Sequence, residues 1–307
     1  MAQGRARLDF LDNVRTAPLI ALLVALALAA TGWLALRRYA RAFLRPRGRR
    51  SERTPASVGL DARQFEATSA DGRVRGWLLL ASDRPRPTVL IAHGWQSHAG
   101  DMLLWAAPLV RAGYHAVVYD ALGHGESDPS EFTSIRHLRE DLEAVLAWTR
   151  AQPEAAPGIA LFGHSMGGAA TILVAASGAP VRALVSAGAP TDPLEITIEF
   201  LNGRGLPGAL LVRLLRPFWQ PIVREPYERL RPEQRMAEVR VPTLVLHGSA
   251  DRQVPPRHAE RLAARNPRAR VVLLDGGDHM DLHAHPDYAA TLTEFLGEAF
   301  EPRGQVA

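Results

Sequence analysis

Short apolar runs that alternate with helical patterns occupy most of this 307-residue chain, and they constrain its fold more than any other feature. The runs are rich in Val, Leu and Ile, which is typical of strands buried on both faces of a sheet. They predict strands at residues 74–80, 88–92, 115–119, 158–162, 181–186, 243–246 and 270–274. Apolar residues at helical spacing predict helices over 101–112, 134–151, 166–177, 256–264 and 286–298. This order predicts an α/β fold, with a mostly parallel sheet covered by helices on both faces.

One stretch, residues 192–239, interrupts the alternation. It is rich in proline and contains apolar clusters at 209–212 and 217–219. Because predicted strands flank it, we expect a lid insertion on top of the sheet and not a separate domain. The expected domain therefore covers residues 59–300, followed by a short C-terminal tail of residues 301–307.

Charge is distributed unevenly along the chain. Residues 1–53 contain eleven arginines and three acidic residues, a net charge of +8, whereas the remainder carries 25 basic and 29 acidic residues, or −4. The folded domain therefore lacks the basic balance that nucleic-acid binding requires, and no nucleic-acid partner is expected. The chain contains no cysteine and no lysine. This composition excludes disulfides, thiolate metal sites, a cysteine nucleophile and Schiff-base or P-loop lysine chemistry.

Residues 17–36 are uncharged and mostly apolar. A helix of this length is about 30 Å long, the thickness of a bilayer hydrocarbon core. We therefore expect a transmembrane helix between an N-terminal tail (1–16) and a basic, solvated linker (37–58). The alternatives are a cleaved signal peptide and a buried core helix. Trp33 near the end of the run and the lack of polar residues at helical spacing favour the membrane span.

The arginines around this run predict its orientation. Three arginines precede the apolar run, and eight follow it by residue 53. Because positive charge is enriched on the cytoplasmic side of a membrane span, the sequence predicts a single-pass protein with a cytoplasmic domain.

The sharpest motif is Gly163-His164-Ser165-Met166-Gly167, a G-x-S-x-G sequence between a predicted strand and a predicted helix. Glycines in this context allow a strained turn that projects the serine hydroxyl from the carboxyl end of the sheet. The free N–H groups of the following helix are suited to hold a developing oxyanion. Ser165 is therefore the candidate nucleophile. The alternative is a glycine-rich strand–helix turn without a catalytic role.

A serine nucleophile needs a general base, and the base needs an acid that orients it. Asp251 follows one late predicted strand and His279 follows the next. Both side chains are therefore expected at the same edge of the parallel sheet as Ser165. The alternatives are a helix-capping role for Asp251, and His283 or His285 as the base. His279 is favoured because it comes directly after a diglycine turn.

The oxyanion needs a second backbone donor from the turn after an early strand. The sequence His93-Gly94-Trp95 occupies such a turn. We therefore expect the N–H groups of Trp95 and Met166 to form the oxyanion hole, and His93 to brace the turn without transferring protons.

A glycine-rich loop at residues 119–127 follows another predicted strand. It does not match the phosphate-binding G-x-G-x-x-G pattern that opens a helix, so no nucleotide site is expected there. Asp120 is expected to stabilise this loop.

Taken together, these motifs resemble those of the α/β-hydrolase superfamily over residues 59–300. The matching segments are His93-Gly94, Tyr119 to Ser127, Gly163 to Gly168, His247 to Asp251, and His279. The set is similar to the branch of monoacylglycerol lipases, lysophospholipases and serine aminopeptidase-like proteins. That branch carries a lid after the sixth strand, which is where residues 192–239 fall. The chain departs from the branch at Ala121-Leu122, where many relatives have a polar residue.

The resemblance implies a serine hydrolase of esterase or lipase type that uses Ser165, Asp251 and His279 and needs no cofactor or metal. Its substrate would be a small acyl ester, lipid-like in view of the expected membrane anchor. Peptide and thioester substrates and a cofactor-free perhydrolase reaction remain alternatives within the same fold. An alternative of another class is a non-catalytic, membrane-tethered binding protein. The presence of all three residues favours the enzyme.

Overall fold

In the computed structural model, which describes residues 2–48 and 51–301 with side chains from Pro18 onward, an eight-stranded sheet forms the centre of the molecule. The strands are β1 Asp61–Ser69, β2 Gly72–Leu80, β3 Thr88–Ala92, β4 His115–Asp120, β5 Ile159–His164, β6 Ala183–Ala187, β7 Thr243–Gly248 and β8 Ala269–Leu274. Their spatial order is β1-β2-β4-β3-β5-β6-β7-β8, and β2 runs opposite to the other seven strands of this sheet. The structure confirms the predicted α/β fold with a mostly parallel sheet.

Helices cover both faces of this sheet. The α-helices of the described residues are α1 Ala2–Phe43, α2 Ala99–Arg111, α3 Ile135–Arg150, α4 Met166–Ala176, α5 Pro193–Asn202, α6 Gly208–Val223, α7 Pro232–Met236, α8 Arg257–Ala264 and α9 Tyr288–Phe300. Apolar side chains of α3, α4 and α8 form the core on one face, and those of α2 and α9 form it on the other. Strands β3 to β7 are buried along their whole length, which is why they appear in the sequence as short apolar runs.

The edge strand β1 was not among the predicted strands. Only every second residue of its inner half is buried, namely Phe65, Ala67 and Ser69, and the rest of the strand is exposed. Its pairing with β2 through a tight turn, Ser69 opposite Gly72, makes it a strand. A polar edge strand lacks the continuous apolar run that marks the buried strands.

Residues 192–239 lie between β6 and β7 and form α5, α6 and α7. Val212, Leu215 and Trp219 of α6 pack in one apolar cluster with Ala169 and Leu173 of α4. The segment thus covers the helix that starts directly after β5.

Helix α1 is longer than the predicted span of 17–36, because the backbone is helical from Ala2 to Phe43. The side chains of residues 2–17, most of the expected N-terminal tail, lie outside the described ones, as do residues 302–307 of the expected C-terminal tail. From Pro18 to Phe43 the helix is apolar enough to cross a membrane, with a mean hydropathy of 2.5 over its most apolar window. Its last turns pack on α6, where the indole Nε1 of Trp219 donates a hydrogen bond to the carbonyl of Ala40 over 3.0 Å.

The chain after α1 differs from the expected solvated linker. Leu44 and Pro46 are buried, and Thr133 donates its backbone N–H to the carbonyl of Leu44 over 2.8 Å. The apolar side chains between the arginines make this docking possible. Arg49 and Arg50 lie outside the described residues. We call residues 44–48 the strap.

Candidate active site

Ser165 occupies a strained turn between β5 and α4. Its backbone has φ 56° and ψ −124°, a conformation that a residue with a side chain rarely adopts. The turn is held by the Ser165 N–H, which donates to the carbonyl of Ala187 over 2.8 Å. A Cβ atom at Gly163 would collide with the backbone of Gly167, and one at Gly167 would collide with the backbone of β3. Because other backbone segments approach so closely, both of these positions in the motif require glycine.

The turn after β3 lies directly against this serine. A Cβ atom at Gly94 would come within 3.0 Å of the Ser165 Cβ and 3.5 Å of its Oγ. The next residue is Trp95, and Met166 is the first residue of α4. Among the described residues, neither the Trp95 N–H nor the Met166 N–H has a hydrogen-bond acceptor. The two predicted oxyanion donors, Trp95 next to Gly94 and Met166 next to Ser165 in the chain, thus have unengaged amides.

His93 joins this turn to the loop after β4. Its Nε2 accepts a hydrogen bond from the Ala121 N–H over 2.9 Å, so its Nδ1 carries the proton and donates to the Gly94 carbonyl over 2.7 Å. Burial lowers the pKa of His93 to about 4, so the ring is neutral near pH 7. Both nitrogens are occupied, which is the bracing arrangement expected from the sequence.

Asp120 organises the loop after β4. Its two carboxylate oxygens accept hydrogen bonds from the N–H groups of Ala99 (2.7 Å) and Glu126 (2.9 Å). Gly125 lies so close to this carboxylate that a Cβ atom there would overlap it. Asp120 therefore joins the loop to the start of α2.

Asp251 and His279 form a short, buried pair. The Oδ2 of Asp251 lies 2.6 Å from the Nδ1 of His279, and both residues are only 3% exposed. The other oxygen, Oδ1, accepts the N–H groups of Gln253 (2.9 Å) and Val254 (2.8 Å). The carboxylate is therefore fixed by the backbone on one side and faces the imidazole on the other.

The surroundings of Asp251 keep it ionised. Burial acts to raise its pKa, but hydrogen bonds from His247, His279 and the Val254 amide outweigh burial and hold the pKa well below its usual range. The Nε2 of His247 lies 3.3 Å from the Asp251 Oδ2 and 2.7 Å from the Val254 carbonyl. His247 was not among the residues predicted for the site. Its position four residues before Asp251, in the same motif, is the signal that could have identified it.

His164, which precedes Ser165, holds His279 in place. Its Nε2 lies 2.9 Å from the His279 backbone carbonyl, and its ring packs between those of Trp105 and His279 at centroid distances of 4.5 and 4.8 Å. Burial lowers the pKa of His164 to about 3, so this neutral ring donates its Nε2–H to the carbonyl. The contact brings His279 beside the Ser165 turn. The structure has no hydrogen bond between the Ser165 Oγ and the His279 Nε2, and such contacts often tighten only when substrate binds.

The competing histidines lie elsewhere. The ring of His283 packs at a tilt against that of Trp105 with a centroid distance of 5.2 Å, and the Nε2 of His285 donates to the Asp275 carbonyl over 3.1 Å. Among the described residues, the imidazoles that contact the Asp251 carboxylate are those of His279 and His247.

Glu195, Glu199 and His258 have the residue types of a metal site and lie close together. Each already has a partner, however. Glu195 pairs with Arg261 at 2.6 Å, Glu199 pairs with Arg257 at 2.5 Å, and the His258 Nδ1 accepts from Thr191. The arginines neutralise both carboxylates, so this group is an ion-pair network that joins α5 to α8.

The sheet order, the strained turn between β5 and α4, and the side chains gathered after β5, β7 and β8 define an α/β-hydrolase architecture. The chain belongs to the alpha/beta hydrolase family, whose family model matches residues 89–292.

Relatives and solved structures agree with this assignment. The uncharacterized protein YfhR of Escherichia coli K12 is 28% identical over 261 residues, which cover 79% of this chain and 83% of that protein. A pimeloyl-[acyl-carrier protein] methyl ester esterase of Xanthomonas campestris is 26% identical over 66% of this chain and 92% of its own length. The structure of the Pyrococcus furiosus esterase Pf2001 superposes with a TM-score of 0.68 at 20% identity, covering 84% of this chain and all of that one. At this identity the last similarity concerns the fold.

Proposed function

We propose that this protein is a membrane-anchored serine hydrolase that cleaves carboxylic esters through a covalent acyl-enzyme. The observation that carries the proposal is the 2.6 Å contact between Asp251 and His279, beside the strained turn of Ser165. A carboxylate, an imidazole and a serine hydroxyl in this arrangement turn the otherwise unreactive hydroxyl into a nucleophile.

In the proposed reaction, the Nε2 of His279 takes the hydroxyl proton of Ser165 while the Oγ attacks the substrate carbonyl carbon. The ionised Asp251 keeps the remaining ring proton on Nδ1 and stabilises the imidazolium that forms. His279 then gives the proton to the departing alcohol. Water, activated by the same base, attacks the acyl-enzyme and releases the acid.

The N–H groups of Trp95 and Met166 would hold the negative oxygen of the tetrahedral intermediate. Both amides are unengaged among the described residues. A preorganised donor of this kind contributes about 3 kcal/mol to the transition state, or roughly a factor of 10²–10³ in rate.

An acyl ester with an apolar chain is the substrate class that the surroundings favour. The lid contains a groove of about 490 Å³ between α5 and α6, lined by Leu194, Ile198 and Val212 with Arg213 and Arg216. Its apolar lining suits an acyl chain, and two similar proteins are named esterases. A lysophospholipase or monoacylglycerol-lipase reaction fits these features. Serine aminopeptidase-like and thioesterase activities are the alternatives within the same mechanism.

Helix α1 is the proposed anchor. The stretch from Pro18 to Phe43 is apolar enough to cross a membrane, and none of its most apolar window is buried inside the protein. Eight arginines follow the apolar run by residue 53. Because positive charge is enriched on the cytoplasmic side of a membrane span, we propose a single-pass protein whose catalytic domain is cytoplasmic. Protease protection in sealed inside-out and right-side-out vesicles tests this orientation. Digestion of the domain from the outer face of intact cells would reverse it.

The enzyme proposal is tested with a fluorophosphonate probe and a chain-length series of p-nitrophenyl esters on the full-length protein. Wild type should label and hydrolyse, whereas Ser165→Ala should do neither. Ser177→Ala, at the other end of α4, is the matched control and should behave as wild type. If wild type and Ser165→Ala label equally poorly while both are folded, the catalytic proposal is wrong and a non-catalytic binding protein replaces it. Parallel amide and thioester substrates separate the remaining alternatives.

A further inference from the structure

Among the described residues, the hydrogen bonds between the strap and the turn after β3 both involve the side chain of Gln96. The Gln96 Oε1 accepts a hydrogen bond from the Arg47 N–H over 2.7 Å, and its Nε2 donates to the Arg45 carbonyl over 3.1 Å. The amide of Gln96 therefore uses both its donor and its acceptor on the strap backbone.

The strap is itself held in place on the domain. The Leu44 carbonyl accepts the Thr133 N–H, and the ring of Pro46 packs directly on Gly123. Further along the chain, the Arg53 guanidinium donates to the Gly100 carbonyl over 3.3 Å. These contacts lie on both sides of the Gln96 bonds, so the strap is a fixed support and not a loose tether.

Gln96 needs such a support because of its backbone. A 3.3 Å hydrogen bond from the Ser97 N–H to the Gly94 carbonyl closes a four-residue turn, and Gln96 is its third residue with φ 60°. A left-handed conformation at the third position of a turn favours glycine, and it disfavours residues that carry a Cβ atom. The second residue of the same turn is Trp95, whose N–H is one of the two proposed oxyanion donors.

We infer that Gln96 is a positioning residue for the proposed reaction. The two bonds from the strap hold Gln96 in its left-handed conformation, and this conformation keeps the Trp95 N–H directed at the oxyanion. The inference rests on the oxyanion role proposed above. The strap directly follows α1. It therefore joins the proposed anchoring helix to the turn that carries the Trp95 N–H through a few residues of fixed backbone.

Two substitutions at position 96 in the full-length protein separate this role from a merely structural one. Gln96→Ala loses both bonds but still has the Cβ atom that disfavours positive φ, so the turn should leave its left-handed conformation and kcat should fall about tenfold, while KM and the melting temperature stay near wild type. Gln96→Gly loses the same bonds but adopts positive φ freely, so it should retain more activity than Gln96→Ala. A wild-type kcat for Gln96→Ala overturns the inference. So does a loss of kcat in the glycine variant equal to that in the alanine variant.

A substitution in the strap tests the other partner. Arg47→Pro removes the backbone N–H that binds Gln96, whereas Arg47→Ala keeps it and is the control. Arg47→Pro should lower kcat in the wild-type background and have no further effect in Gln96→Gly. A further fall in the glycine background would show that the strap acts by another route and would overturn the inference. Full activity of Ser165→Ala would instead refute the proposed function, so the two failures are distinguishable.

Discussion

Replacement of Asp251 by asparagine should invert the hydrogen-bond polarity of the proposed base. The two backbone N–H groups of Gln253 and Val254 fix the acceptor position at Oδ1. The asparagine carbonyl must therefore occupy that position, and its NH₂ group replaces the Oδ2 that faces the His279 Nδ1. Because NH₂ only donates, Nδ1 must present its lone pair and the ring proton must move to Nε2. The nitrogen next to Ser165 would then carry a proton and could not take another.

The expected loss follows from this tautomer change. The backbone of the site should stay in place, because asparagine has the shape of aspartate and still accepts the hydrogen bonds from the N–H groups of Gln253 and Val254. In a serine protease with the same arrangement, the equivalent substitution lowers kcat by about 10⁴ with the geometry intact. That factor corresponds to about 5 kcal/mol of transition-state stabilisation at 1.36 kcal/mol per decade. We expect a loss of this order for Asp251→Asn.

The assay is steady-state hydrolysis of a p-nitrophenyl ester, together with the rate of fluorophosphonate labelling and a thermal melt. Asp278→Asn is the control. It removes a carboxylate next to His279, but the asparagine side-chain oxygen can still accept the hydrogen bond from the His279 backbone N–H, which joins N to the Asp278 Oδ1 over 2.7 Å in the structure. It should remain near wild type. Retention of more than a tenth of the wild-type kcat by folded Asp251→Asn would refute the reasoning.

Three further results are expected. Gly94→Ala should lower kcat at least tenfold in ester hydrolysis while the protein stays folded, because its Cβ would lie 3.0 Å from that of Ser165; an unchanged kcat would contradict the close approach. Trp219→Ala should lower the free energy of unfolding by about 4 kcal/mol in denaturant titrations, and half-exposed Trp33→Ala far less. Acidification from pH 7 to 5 should lower the melting temperature, because burial lowers the pKa values of His93, His124 and His137 to about 4 and of His164 to about 3. These histidines bind protons more readily in the unfolded chain, so the folded protein loses stability as the pH falls below their unfolded pKa of about 6.5. At pH 5 the loss is about 2 kcal/mol of unfolding free energy for each fully buried ring. A melting temperature that does not change between pH 7 and 5 would contradict this.

The sequence contained enough local information to predict the sheet. Buried parallel strands require apolar side chains on both faces, so β3 to β7 appear as uninterrupted apolar runs. Strand β1 escaped prediction because only alternate positions of its second half are buried and its pairing with β2 decides its conformation.

The candidate site, like the sheet, was predicted from the sequence only in part. Ser165, Asp251 and His279 were proposed because each follows a predicted strand, and the carboxyl ends of parallel strands share one edge. The contact of His164 with the His279 carbonyl joins segments that the chain brings together only on folding. A motif contains no information about such partners.

The sequence by itself determined the fold class, the strand ends that carry the candidate residues and the apolar character of α1, because these depend on residue type and spacing within a short stretch. Only the tertiary structure decided which histidine faces Asp251 and where the arginine-rich segment after α1 lies. In both cases the deciding bonds join residues far apart in the chain: Asp251 to His279, and Gln96 to Arg45 and Arg47. The composition of residues 37–58 predicted a solvated linker. Burial of Leu44 and Pro46 instead docks the first part of this segment on the domain, because side-chain packing and backbone hydrogen bonds join residues that lie far apart in the chain.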